Sequence, residues 1–387
     1  MKAVVGILTA LLLAGSTSQV IAQPVAMLDG DLVTAIDSLG EFDFDVRVQA
    51  SRFVRRAPVE QARPALVAAV DAHEDEYVRF RALVLLLGFG GDEAGEAARL
   101  ALEDKNDRLR AVAYGYFGHY PDPTMAGLLL AALELETSEF VRPSLIRALA
   151  AHDADPIVRE RLVADIDRGV DFFRGAVIEA LGDRAATYAL DPLIRIASEP
   201  GPLQDDAVLA LARIGDKRAL PTVALLQGRD VELEPMVSAV AVSLGVDRDE
   251  HARFVTQSLL FAAASGDQPD IVRSASAGLG ALASIGDTDA LAVLFEVGVG
   301  APNAAREPIA LEIGSLAMRH PVMVIGHLAT CSDLDAAVLL LRDAFDMLDE
   351  DLEEEHFFMT VRTAFWAATE GSPDRAATDA LIAILEF

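Results

Sequence analysis

Apolar positions along most of the chain recur with the spacing of amphipathic helices. Ala, Leu and Val fill positions i, i+3, i+4 and i+7 in segment after segment, which predicts one buried stripe on each helix. Glycines that favour a left-handed helix end follow many of these stripes, and the aspartate after the glycine suits the start of another helix. The pattern therefore predicts short helices that are joined in pairs by tight turns.

The helix pairs repeat with a period near 31 residues from Asp45 onward. An apolar residue followed by an arginine marks the start of the first helix in each pair, and an aspartate keeps the same step in the turn that follows. The arginine series is Arg47, Arg79, Arg110, Arg142 and Arg174. The aspartate series is Asp92, Asp122, Asp153, Asp183, Asp216, Asp247 and Asp287.

These two series predict a structural role rather than a catalytic one. Charges that repeat with the helix pairs are expected to form a ladder of opposite charges between neighbouring units. Stacked pairs are expected to share one continuous core, because a single pair cannot bury its apolar stripe alone. The longer final interval in the aspartate series indicates an insertion between Arg248 and Gly266.

The repeats resemble HEAT-type repeats, in particular the short HEAT-like repeats of phycobilisome lyases. The resemblance covers about 45–333 and is carried by the Val-Arg starts and by the ALxxIGD spelling at 210–216 and 281–287. It implies an all-α solenoid, an alpha-alpha superhelix, of about nine helix pairs. The arginine is replaced by Gln204 in the sixth pair, and the period is lost beyond Leu334.

The two ends of the chain depart from the repeat. Residues 1–22 have the anatomy of a signal peptide, with Lys2 before an apolar run and Ala22 at the expected cleavage point. We expect an exported protein, periplasmic or extracellular, with a lead-in segment at 23–44 and the repeat array at 45–333. Residues 334–387 are expected to form a helical cap of helices 334–348, 356–369 and 374–385 around a solvated acidic turn at 349–355.

The net charge of the chain limits the classes of partner that we expect. The 387 residues include 61 acidic and 32 basic side chains, for a net charge of −29. Such a field repels nucleic acids and anionic lipid headgroups, so we expect a cationic, neutral or apolar protein partner, no nucleic acid, and no membrane-spanning segment after signal cleavage. The acidity is also open to a second explanation, a saline habitat that says nothing about partners.

Candidate chemistry is sparse. His320, His327 and Cys331 lie within 12 residues, but a half-buried helix with incidental polar positions is the favoured interpretation, so no metal and no cofactor are expected. The glycines of 278–286 lie inside a repeat helix without a preceding strand, which disfavours a phosphate loop. Iron-dependent hydroxylases of the deoxyhypusine type carry several His-Glu pairs, whereas the sequence has only His73-Glu74.

The predicted binding surface is the concave face, which the Val-Arg helices line in HEAT-like stacks. Side chains four and five residues after each repeat arginine are expected to point outward, and an aromatic cluster adds one tyrosine. The predicted partner-binding residues are Arg52, Leu83, Val84, Tyr114, Tyr120, Ile146, Arg147, Ile178 and Glu179.

This mostly apolar row predicts a non-catalytic scaffold that holds a segment of another protein. Replacing Tyr114 and Arg147 together is then expected to weaken binding and to leave folding intact. A tightly curved superhelix that covers the row is the structural alternative. The functional alternative is a lyase-like enzyme or accessory factor with a small-ligand pocket, which a convergent cluster of buried ionisable residues would favour.

Overall fold

The computed structural model describes residues 29–348 and 351–387, so the predicted signal peptide at 1–22 lies outside the described residues. Within these ranges the chain forms 22 α-helices, a few 3-10 turns and no strand. The helices of the first half are α1 Asp29–Asp37, α2 Phe44–Arg55, α3 Val59–Ala72, α4 Glu76–Phe89, α5 Asp92–Ala101, α6 Asp107–His119, α7 Ala126–Leu135, α8 Arg142–Ala151, α9 Pro156–Asp165, α10 Asp171–Asp183 and α11 Leu190–Ser198. Those of the second half are α12 Gln204–Ile214, α13 Leu220–Leu226, α14 Glu234–Ser243, α15 Arg248–Ser265, α16 Pro269–Ser284, α17 Thr288–Gly300, α18 Asn303–Arg319, α19 Pro321–Leu328, α20 Leu334–Leu348, α21 Asp351–Ala367 and α22 Pro373–Ile384.

Helices α2 to α19 form nine consecutive pairs, which confirms the all-α solenoid predicted from the repeat. The first helix of each pair packs against the first helix of the next pair, from α4 through α18, and these are the inner helices of the stack. The 40-residue interval in the aspartate series is accounted for by α15, which is 18 residues long, whereas α13 has 7.

Capping explains where many helices begin. The side chain of Asp43 accepts hydrogen bonds from backbone amides at the start of α2, and Asn106 does the same for α6. The predicted glycine-aspartate turn is present at Gly215, which has a φ of 64°, and Asp216, which caps the next 3-10 turn. A turn of this kind is also predicted at Gly182 and Asp183. It is not formed there, because α10 continues through Asp183.

The expected ladder pairs different residues from those predicted. The repeat arginines bind carbonyls just before their own inner helix and acids just before the following one. Arg110 makes two hydrogen bonds to Glu136, at 2.8 and 3.0 Å, and two more to the carbonyls of Asp104 and Lys105. The aspartates instead face arginines at the far end of the next inner helix, as in Asp183 with Arg213 at 3.2 Å. Neighbouring units are therefore linked by charge, but the arginine and aspartate series do not pair with each other because they lie at opposite ends of the inner helices.

Members of both series vary around this pattern. Among the arginines, Arg79 reaches Asp104 at 3.3 Å, and Arg142 lies 3.8 Å from the ring centroid of Phe173. Among the aspartates, the side chain of Asp287 caps α17. The remaining members are Arg47, which donates to two carbonyls before α2; Arg174, which donates to the carbonyl of Ile166; Asp92, the first residue of α5; Asp122, a 3-10 cap; Asp153, 3.9 Å from Arg184; and Asp247, in a left-handed conformation before α15.

The C-terminal helices fold back onto the beginning of the stack. Helix α20 packs on α18 as a continuation of the array, while α21 crosses to α4 and α6. Leu352 in α21 is buried within the apolar core of the N-terminal repeats. Gly115 in α6 permits this approach, since a Cβ there would lie 2.6 Å from Leu352 Cδ2. The superhelix is therefore closed on itself rather than open.

The acidic segment is a further difference from the sequence-based expectation. Helix α21 begins at Asp351, so most of the predicted solvated turn is helical. The side chain of Glu355 is only 2% exposed and accepts a hydrogen bond from Arg55. This carboxylate is buried because it faces arginines of the first repeats, which are about 300 residues away in sequence.

No single helix among the described residues is long and apolar enough to cross a membrane. Helices α18 and α19 reach that length and composition only together, and they are bent by 117° at the break between them.

Candidate binding cleft

A cleft of about 830 Å³ lies on the inner surface of the closed solenoid. One wall is built by the inner helices α6, α8, α10 and α12, and the other by the end of α20 and the start of α21. A smaller pocket of about 220 Å³ adjoins it, and the two share Gly115, Arg147, Leu348 and Glu353. We call the larger space the central cleft.

The register of the inner helices determines what lines the central cleft. Residues one, two and five positions after the repeat arginine face the cleft, as do residues two positions before it. In α8 these are Phe140, Pro143, Ser144 and Arg147, around the repeat residue Arg142. The residue four positions after the arginine points instead into the core between helices. One helical position rotates a side chain by about 100°, which is enough to move it from one surface to the other.

The sequence-based prediction therefore assigns five of the partner-binding residues to the wrong surface of their helices. They are buried in the apolar core and present no surface to a partner. These residues are Leu83, Val84, Tyr114, Ile146 and Ile178. Four of them occupy the core-facing position, and Val84 lies at the inner position of α4, where α21 covers the helix. Tyr114 therefore lacks the surface position that the expectation for the Tyr114 and Arg147 double variant assumed.

The four polar members of the predicted set lie in three different places. Arg147 and Glu179 line the central cleft, as their position in the repeat requires. Arg52 binds the side chain of Glu386 at 2.7 Å and so belongs to the closure of the solenoid. Tyr120 is partly exposed at the end of α6, where its ring lies 6.5 Å from that of His356.

Two exposed phenylalanines mark the rim of the central cleft. Phe140 is 63% exposed and Phe172 is 65% exposed, and each lies two residues before a repeat arginine. Arg108 holds the equivalent position in α6, and its guanidinium lies 5.6 Å from the ring centroid of Phe80. The rim thus carries one aromatic or guanidinium group at each of the consecutive inner helices α6, α8 and α10.

Ionisable side chains from α10, α12 and α18 converge beside the central cleft. Arg319 at the end of α18 donates a hydrogen bond to Glu179 and another to Asp183 at 3.0 Å. Asp183 is also 3.2 Å from Arg213. Burial acts to raise the pKa of Glu179, but the guanidiniums of Arg319 and Arg213 lower it overall. The network ties the end of α18 across the interior to α10.

Two further carboxyl groups of this region have raised pKa values. Burial raises the pKa of Glu312 in α18 to about 7, against the opposing effect of Arg213 and Arg319. The pKa of Asp206 in α12 is raised by burial and by the nearby carboxylates of Glu179 and Asp205. A convergent group of partly buried ionisable residues is thus present where the sequence predicted an apolar row.

The candidate metal ligands near the C-terminus do not converge in this way. His327 stacks on Phe295 with ring centroids 4.8 Å apart, and burial lowers the pKa of both His320 and His327. Burial raises the pKa of the half-buried Cys331 thiol. Across 29–348 and 351–387, no three His, Cys, Asp or Glu side chains are grouped so that they would hold a metal ion.

Sequence reasoning missed Arg108, Phe140, Phe172 and Arg213. The first three share a recognisable signal, because each precedes a repeat arginine by two residues, but only a known helix rotation shows that this position faces inward. Arg213 belongs to neither series, and its role depends on Arg319 at the end of α18, which is more than 100 residues away in sequence.

Comparison with known proteins gives a limited outcome. No family model and no curated protein matches the sequence. Among solved structures, the complex of CpcE and CpcF of phycocyanin lyase from a Nostoc species is 17% identical, with a TM-score of 0.37, and the match covers 62% of this chain and 97% of that chain. Kap95p with RanGDP is 14% identical, with a TM-score of 0.37 over 92% of this chain and 54% of that one. Kap121p is 12% identical, with a TM-score of 0.36 over 92% and 45%.

The classification rests on the helices themselves. Nine consecutive helix pairs, inner helices stacked in order, and a recurring arginine near the start of five of them are properties of this chain. Within the described residues, the protein is an α-solenoid of stacked helix pairs.

Proposed function

We propose that the protein is a non-catalytic binding scaffold that receives a segment of another protein in the central cleft. The observation that carries the proposal is the row of exposed groups along the rim, with Phe140 and Phe172 at successive repeats beside Arg108. Exposed aromatic and arginine side chains over a concave surface are the groups that contribute most to protein recognition. The ionic network behind the cleft binds helices of the chain to one another, which suits a structural role.

The test uses a display library of random peptides selected against the whole protein. Selected peptides are expected to bind a Phe140→Ala/Phe172→Ala variant about tenfold more weakly, because two exposed anchors are lost. The matched control is Phe254→Ala/Phe261→Ala on the outer helix α15, which removes two exposed phenylalanines away from the cleft. Equal binding to both variants, or equal loss in both, would rule out the cleft as the site.

A second candidate is an enzyme or accessory factor with a small ligand in the cleft. It is favoured by the convergence of Glu179, Glu312 and Asp206, two of which have raised pKa values. A cleft of this volume also lies within the usual range of small-molecule sites. Native mass spectrometry of the purified protein distinguishes the two, since a retained small molecule that Asp206→Asn releases would favour this candidate.

We also propose export of the protein, on the strength of the N-terminal sequence pattern. Cell fractionation followed by N-terminal sequencing tests it. A mature protein that begins at Gln23 outside the cytoplasm supports export, and a cytoplasmic protein that begins at Met1 opposes it.

A further inference from the structure

We propose that the central cleft takes an extended, polyproline II-like segment with apolar side chains at every third position, one acidic side chain beside Arg108 and one basic side chain beside Asp206. This inference rests on the proposed function and specifies the partner. Its basis is the placement of four cleft residues, Arg108, Phe140, Phe172 and Asp206, near the starts of four consecutive inner helices.

The spacing of the rim residues sets the conformation of the segment. Neighbouring packed helices lie about 8 to 10 Å apart, so one rim group is expected at each such step. A polyproline II chain has three residues per turn and rises about 3.1 Å per residue, which is about 9 Å per turn. Every third side chain of such a segment therefore meets the rim residues of α6, α8 and α10 in turn. A further step reaches Asp206 in α12, so that three steps need about nine residues.

The central cleft is bounded by the inner helices on one side and by the start of α21 on the other. An α-helix with its side chains is about 10 Å wide, whereas an extended chain has a narrower cross-section and leaves its outward side chains in solvent.

Charge differs between the two ends of the central cleft. Arg108 is exposed at the α6 end, where its guanidinium faces the rings of Phe80 and Tyr77. At the α12 end, Asp206 lies beside the carboxylates of Asp205 and Glu179. Burial and the negative charge of these two neighbours raise the pKa of Asp206.

The other charged groups of this end are already paired. Arg213 faces Asp183, Glu179 is held by Arg319, and Asp171 binds Arg174 at 2.7 Å. A cation would therefore be drawn to Asp206 and an anion to Arg108.

The test uses synthetic ten-residue peptides, fluorescently labelled, and the whole protein. The first has glutamate at one end, lysine at the other and leucines at the fourth and seventh positions, with proline and serine elsewhere. Two further peptides carry glutamate or lysine at both ends, and a fourth moves the leucines to the fourth and sixth positions. We expect the first peptide to bind about tenfold more tightly than the others. Phe140→Ala/Phe172→Ala is expected to lose the advantage over the fourth peptide, unlike Phe254→Ala/Phe261→Ala.

A charge exchange provides the second measurement. Arg108→Glu makes both ends of the central cleft acidic, so this variant is expected to prefer the peptide with lysine at both ends over the first peptide. Equal binding of all four peptides, or no change of preference in Arg108→Glu, overturns the inference. If library-selected peptides still bind the cleft in that case, the proposed function stands and only the segment class is wrong. If no peptide of either kind binds there, both proposals fail.

Discussion

The guanidinium of Arg55 donates a hydrogen bond from Nε to Oε2 of Glu355 across 2.7 Å, joining α2 to α21 over 300 residues of sequence. Glu355 is buried and the Arg55 side chain is only 10% exposed, and Arg362 approaches the other carboxylate oxygen at 3.5 Å. Arg52 with Glu386, and Arg56 with the carbonyl of Phe387, add contacts between the same two ends of the chain. Ion pairs between α2 and α21 therefore lie at the centre of the contact that closes the solenoid.

Removal of the central carboxylate is expected to be costly. Glu355→Ala leaves the Arg55 guanidinium buried without its partner, so the free energy of unfolding should fall by about 3 kcal/mol. Urea denaturation measures the loss. The control is Arg99→Ala, which breaks an exposed pair with Glu96 on one outer helix and should leave the unfolding midpoint unchanged. Equal midpoints for both variants would show that the closure contributes little to stability.

The stacked histidines between α6 and α21 predict a loss of stability in mild acid. The rings of His119 and His356 lie 4.3 Å apart. Burial and the neighbouring His119 lower the pKa of His356 to about 4, against the effect of Glu353. Burial is also the main cause of the lowered pKa of His119, with Glu353 opposing it and Arg147 adding to it.

Because the pKa of His356 is lower in the folded state, the unfolded chain takes up the proton first as the pH falls. The stabilisation is complete above about pH 6.5 and is lost as the pH falls from there towards 4. Allowing for solvent screening, His356 should contribute on the order of 1 to 2 kcal/mol. Melting temperatures of wild type and His356→Phe across this range measure the effect. Parallel pH profiles for the two proteins would contradict the prediction, since the phenylalanine keeps the stacked ring without its proton.

A close approach between two inner helices gives a prediction with a matched control. A Cβ on Gly182 would lie 2.9 Å from the Cα of Ala210, so Gly182→Ala must push α10 and α12 apart. We expect a loss of about 1 to 3 kcal/mol. Gly127 in α7 has no atom within 4 Å of its added Cβ, so Gly127→Ala should stabilise by up to about 1 kcal/mol. Chemical denaturation of both variants checks the opposite signs.

Tyr114 gives a prediction that separates core from surface. It is buried, and burial raises the pKa of its hydroxyl to about 12. Tyr114→Ala should leave a cavity between inner helices and lower the free energy of unfolding by about 3 kcal/mol. The exposed pair Phe140→Ala/Phe172→Ala should leave the melting temperature within about 2 °C of wild type, since surface substitutions change stability little. A Tyr114→Ala protein as stable as wild type would contradict this placement.

The repeat and its helices were predictable because they depend on local spacing. The period of the arginines and the caps at residues such as Asp216 report on neighbours a few positions away. The lining of the cleft was not predictable in the same way. Arg147 and Ile146 are adjacent in sequence, yet one faces the cleft and the other the core, because helix rotation within the stack separates them. The partner of Glu355 could not be inferred either, since it follows from the summed curvature of nine pairs.

Contact between the two ends of the array changes how the array unfolds and which changes of length it tolerates. In an open solenoid each unit depends only on its neighbours, so the terminal units fray first and added or lost units are tolerated. Here the Arg55–Glu355 contact gives the first unit a second neighbour, and insertion or deletion of one helix pair would move these residues out of reach. The number of units is thereby part of the folded state, and the linear array gains the cooperativity of a globular domain.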